Sequence, residues 1–334
     1  MRREERNRYR KKLQLQRYVL CIQMAVIAVL LLSIVVIRSE QKSGSAKVTV
    51  ADKNRPDGEK ENEKYGENDP DTPISGSGRT EGEYPSAEEL GIDLFHPVKY
   101  EGRDLEKRLK ELAELSDAYR KLLQNRSALS EDLLSAACNN PEILPFALSR
   151  LEGNQTEPPK LQPIVLSEEE KTAEGIPLLL QFDERWGACG YGESMIAVSG
   201  CAPTCLSMVI IGLTGDLYAT PDVVASYADE KGYYLNGIGT DWSFLTEGAR
   251  HFGLLAKEVA LDEDMVLREL EQGHPIICSM RRGTFTAQGH FIVLAGVKDG
   301  KILVRDPNSR AKSELLWDFS EIRSQIRNLW RYVV

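Results

Sequence analysis

Histidine is scarce in this chain. There are four in 334 residues, and no two of them stand at zinc-ligand spacing. The six cysteines include no CxxC pair. Without such pairs the sequence predicts no metal site. Glycine numbers 26, yet none of it forms a phosphate-cradling loop, so no nucleotide cofactor is expected. An excess of positive charge is also lacking beyond the first 17 residues. The chain carries −9 and its opening carries +6, which leaves −15 for the remainder. A surface that acidic repels polyanions, which argues against nucleic acid as a partner.

What is present falls into segments. Residues 1–17 hold eight Lys or Arg against Glu4 and Glu5 and read as a basic cytoplasmic tail. Residues 18–37, from Tyr18 to Ile37, carry no charge and are dominated by Val, Leu, Ile and Ala. That length spans a bilayer as a helix. The positive flank stays inside, so the spacing predicts a signal anchor with an extracytoplasmic C-terminal domain. Ser43 to Ala46 leaves a cleavage site open. Residues 38–86 are polar, with breakers such as Asn54-Arg55-Pro56-Asp57-Gly58, and read as a disordered stalk.

From 87 to 151 helices are expected. Leu105, Leu109, Leu112, Tyr119 and Leu122 follow helical spacing, with Asp104 as an N-cap. Ser130 caps a further helix, and Asn140 with Pro141 starts another. The apolar spacing lasts too few heptads for a coiled coil, so a small bundle packed on the last domain is expected. Residues 152–174 are polar, contain Pro158 and Pro159, and read as a linker.

Residues 175–334 form the last domain. It is organised around Gly200-Cys201-Ala202-Pro203-Thr204, which opens an apolar helix. Pro203 suits a first helical turn. Cys201 then sits where unpaired N–H groups and the helix dipole favour an anion. Cysteines in such places titrate at roughly 3.5–7.5, against about 8.5 for a free thiol. Cys205 lies one turn on, among Leu206, Met208 and Val209, and reads as packed. Thr220-Pro221, Asp241 and Asp262 mark further helix starts. Ile276 to Met280 reads as a buried strand. Gly289-His290-Phe291 opens a β-rich run, and Lys298-Asp299-Gly300-Lys301 has hairpin chemistry. The returning run, Ile302 to Arg305, ends at Asp306-Pro307-Asn308. Helices first and an antiparallel sheet afterwards predict an α+β domain. A histidine and an aspartate on paired strands can meet a cysteine on the helix as base, orienter and nucleophile.

These residues, with Gln181-Phe182-Asp183 and Trp186, resemble the papain-like cysteine peptidases related to the double-glycine leader peptidases that process bacteriocins. The resemblance covers about half the chain. It implies a papain-like fold, with Cys on a helix and His and Asp on an antiparallel sheet. It implies Cys201 as nucleophile, His290 as base, Asp306 as orienting acid and Gln181 as oxyanion donor. It also implies a peptide or protein substrate. Ala202 stands where the family often has a second glycine. Two alternatives stay open: a catalytically silent peptide-binding module, and an amide-exchanging transferase on the same scaffold. No role is expected for His96, His251 or His274, and Cys189 reads as a loop thiol.

Overall fold

A computed structural model describes residues 84–153, 161–172 and 175–334. The expected tail, anchor and all but the last residues of the stalk lie outside these. Among the described residues no helix is long and apolar enough to cross a membrane.

The helical region begins with α1 (Gly102–Leu115), α2 (Asp117–Gln124), α3 (Glu131–Asn139) and α4 (Leu144–Ser149). Leu105, Leu109 and Leu112 recur every three or four residues and are all buried on α1. Two expectations change here. Asp104 is not the N-cap: the helix starts two residues earlier, and Asp104 lies in its first turn, where a carboxylate suits the dipole. The apolar spacing from Leu105 to Leu122 is also not one helix. Ser116 takes an extended backbone and splits it into α1 and α2, which fold back on each other. Ser130 and Asn140 cap as expected, each accepting a backbone N–H. The Tyr119 hydroxyl donates to the Ala137 carbonyl at 2.6 Å and ties α2 to α3.

Within the stretch read as a linker, residues 161–172 pack on the domain. Ile164 is buried and its N–H bonds the Leu217 carbonyl. Glu170 is buried and pairs with Arg185, whose guanidinium also holds Asp183 and lies over Trp186.

The remainder contains the hairpin β1 (Gly190–Tyr191) and β2 (Ser194–Met195), then α5 (Ile196–Ser199), α6 (Cys201–Thr214) and α7 (Pro221–Glu230). A second small hairpin joins β3 (Tyr234–Leu235) to β4 (Gly239–Thr240), followed by α8 (Glu247–His251). Then come β5 (Leu255–Glu258), α9 (Glu263–Glu271), β6 (Ile276–Gly283), β7 (Thr286–Lys298) and β8 (Lys301–Arg305). The chain ends with α10 (Arg310–Ser313), β9 (Leu316–Trp317), α11 (Phe319–Arg323) and β10 (Ile326–Val333). The main sheet is antiparallel, in the order β5-β10-β6-β7-β8-β9.

Both faces of this sheet are covered. Phe291, Val293 and Ala295 of β7 join the core that holds α6 and α7. Their neighbours Ile292 and Leu294 point the other way, into a core with Val266 and Leu270 of α9. The helix α6 is buried along ten of its residues, as its unbroken apolar run requires. A third core joins the helical region to Phe182, Ala188 and Ala197. The four helices and the α+β portion are thereby packed as one unit.

Candidate active site

Cys201 is the first residue of α6, so its N–H has no acceptor inside the helix. Gly200 precedes it, and no side chain caps this end. Against α6 lies β7, and the contact is fixed one turn along, where the Cys205 thiol donates to the Phe291 carbonyl at 3.3 Å. His290 is the residue before Phe291. It lies 8% exposed, in hydrogen-bonding reach of the Cys201 thiol.

The β7–β8 hairpin brings Asp306 to His290. Its turn has Asp299 at φ 53° and Gly300 at φ 75°, the pair of positive values that a two-residue turn of matching twist needs. The register runs from Lys298 opposite Lys301 to Val293 opposite Arg305, which leaves Asp306 just beyond β8 and alongside the middle of β7. His290 Nε2 and Asp306 Oδ1 are 2.7 Å apart. The other ring nitrogen, Nδ1, is left for the thiol.

Asp306 has no exposed surface, and its Oδ2 makes no hydrogen bond. Among the described residues His290 is the one side chain bonded to its Oδ1, so much of the aspartate's charge acts on the imidazole. Burial alone would lower the His290 pKa. The Asp306 carboxylate outweighs it and, with the Cys201 sulfur, raises the value to about 10. The pairing favours the imidazolium form of the ring.

Gln181 is fastened twice. Its backbone N–H donates to the Pro307 carbonyl at 2.7 Å, and its side-chain Nε2 donates to the Ala197 carbonyl at 2.9 Å. That acceptor fixes which way the amide points, and it leaves the second Nε2 proton unused. The preceding Leu180 carbonyl is anchored by the Trp186 indole N–H at 2.8 Å. Cys201, His290 and Gln181 all line a cleft of about 340 Å³.

Residues 174–334 match the model of the Peptidase_C39 like family. The C39-like match takes in all four residues named from the sequence and stops short of the helical region. The expected resemblance is thereby borne out. Among solved structures, the peptidase domain of Streptococcus ComA, a bi-functional ABC transporter involved in a quorum sensing pathway, is similar at 17% identity. The likeness covers 40% of this chain and 91% of that one, with a TM-score of 0.31. A Bacillus anthracis protein described as a C39-like peptidase is similar at 16% identity, over 48% of this chain and 96% of its own, with a TM-score of 0.30. No curated protein matches the sequence.

The remaining histidines lie apart from the cleft. His96 is exposed beside Asp93, His251 stacks on Tyr227, and His274 pairs with Glu269. Cys189 lies in the loop just before β1, and its side chain is buried in the core. Sequence reasoning gave no role to Asn308, whose N–H donates to Asp306 Oδ1 at 2.9 Å, or to Ser313, whose Oγ accepts from the Asp306 N–H at 2.8 Å. The Asp-Pro-Asn run was a usable signal for the first, since aspartates accept from backbone two residues on.

Proposed function

We propose that the protein is a cysteine peptidase acting by a Cys201-His290-Asp306 mechanism, with Gln181 as an oxyanion donor. One observation carries this reading. A cysteine at a helix N-terminus lies in a cleft beside a histidine whose far nitrogen is held by a buried aspartate. The Cys201 sulfur attacks the peptide carbonyl carbon while His290 carries the proton. The carbonyl oxygen takes up the negative charge, facing the Cys201 N–H and the unused Gln181 Nε2 proton. The C–N bond then breaks, and His290 gives its proton to the leaving amine. Water, deprotonated by His290, attacks the thioester, the acid is released, and the Cys201 sulfur is freed with the proton left on His290.

The family match supports a peptide or protein substrate. The +6 tail and the uncharged segment 18–37 support a single-pass membrane anchor with the peptidase outside the cytoplasm. The two alternatives are separable from this reading. A silent binding module would leave Cys201 unlabelled by an activity-based thiol probe. A transferase would pass the acyl group to an added amine in preference to water. The deciding experiment is peptide-library profiling of the full chain beside Cys201→Ala. Cleavage by the first and none by the second is expected; equal cleavage by both would sink the mechanism.

A further inference from the structure

The segment that matches the family does not close the cleft alone. One wall comes from the helical region, where Val98 and Lys99 lie beside Ser135 and Asn139 of α3. This strap is fastened like a short strand. The Asn139 side chain accepts from the Val98 N–H and donates to the Val98 carbonyl, both at 2.7 Å. The Tyr100 N–H donates to Ser135 Oγ at 3.0 Å.

Two residues just past α3 reach further, to the loop that carries Asp306. Asn140, 6% exposed, donates from Nδ2 to the Asn308 carbonyl at 2.7 Å. The N–H of the same Asn308 donates to Asp306 Oδ1, the oxygen that meets His290. Glu142 holds the other end of the loop. Its Oε2 accepts from the Arg310 N–H at 2.7 Å, and its Oε1 from the Ala311 N–H at 3.0 Å and Ser309 Oγ at 3.4 Å. These N–H groups open α10, whose Ser313 hydroxyl accepts from the Asp306 N–H. Burial pushes the Glu142 pKa up while the two backbone N–H groups pull it down, so the carboxylate depends on these partners.

We propose that Asn140 and Glu142, outside the family match, are positioning residues of the active site: they pin the segment Asp306 to Ser313 so that Asp306 faces His290. The proposal rests on the Cys-His-Asp reading above. Its geometry is specific, because each bond lands within two residues of Asp306, on the helix that holds the Asp306 N–H, or on that helix's N-cap Ser309. The charged groups facing Asp306 are His290, Lys312 and Glu142. Moving the aspartate away removes the main support for a charged His290.

The test uses the full chain. Asn140→Ser keeps a neutral side-chain oxygen for the Glu142 N–H, now bonded at 3.0 Å, and removes the donor to Asn308 without adding a charge. The readouts are kcat and KM per titrated thiol, the His290 midpoint by histidine-labelled NMR, and Tm. The expected result is a fall in kcat of about ten- to a hundredfold with KM nearly unchanged, as misplacement of a catalytic group produces. The His290 midpoint should move down from about 10. Should Asn140→Ser fail to fold, Glu142→Gln, which keeps shape and one acceptor, takes its place under the same readouts. A merely structural role would lower Tm and the folded yield while leaving midpoint and kcat per thiol unmoved, and that result overturns the proposal. The NMR readout needs no turnover. If the wild-type chain cleaves no peptide, the functional reading fails while the midpoint still decides the positioning role.

Discussion

The two cysteines of α6 are one turn apart on one helix face and differ in everything else. Cys201 opens into the cleft, whereas Cys205 is fully buried, and burial pushes its thiol pKa well up. Iodoacetamide near neutral pH should therefore label Cys201 first, with peptide mapping as the check. Cys205→Ser keeps a donor near the Phe291 carbonyl on a shorter bond, so it should cost about 1 kcal/mol in denaturant unfolding and leave turnover intact. The His290–Asp306 pair makes a second prediction. The folded His290 pKa stands at about 10, above its ordinary 6.5. A raised pKa means that the folded state holds the proton more tightly. The pair's contribution is fully present below pH 6.5 and is lost as pH rises through about 10. Asp306→Asn should flatten that alkaline loss of stability, and it should bring the alkaline limb of the rate profile to lower pH. An unchanged limb would mean that His290 is not the titrating group.

Elements place these residues, and their joints are tight. At Gly200, between α5 and α6, an added Cβ would come within 2.5 Å of Ile196 Cγ2 and 2.6 Å of the Ile196 carbonyl oxygen. Backbone would have to move at the point where the nucleophile helix starts. Gly200→Ala should thus lower kcat by about a hundredfold, more than its loss of Tm would suggest, as comparison of the two measurements will test. The element scale also separates what the sequence made legible from what it did not. Pro203, Thr220-Pro221, Asp241, Asp262 and Asp299-Gly300 act through neighbours a few residues away, so their caps and turns were readable. Cys201, His290 and Asp306 were readable because a helix start and a hairpin bring them together. The break at Ser116 was hidden, because the leucine spacing continues through it. Asn140 and Glu142 were hidden for a different reason. Their partners on the Asp306 loop lie 168 residues away, and no local pattern encodes such a contact.

At the scale of the whole molecule, the helical region and the C39-like portion share a core through Phe182, Ala188 and Ala197. Residues 175–334 produced alone should expose that apolar face, melt lower than the full chain and aggregate sooner; light scattering and calorimetry provide the check. Equal stability would mean that the shared core contributes little. For the anchor, a protease added to intact cells should remove the C-terminal domain and spare the tail, and a protected domain would reverse the proposed orientation. Burial of the thiols has one more effect. Cys138, Cys189, Cys205 and Cys278 are all buried, and only Cys201 of the described five opens on a cleft. An oxidant such as peroxide attacks accessible thiolates, so its first lesion should fall on a single sulfur. Inactivation would then follow the gain of one oxygen atom at Cys201, with the rest of the protein chemically untouched, and a thiol reductant would restore it at the sulfenic stage.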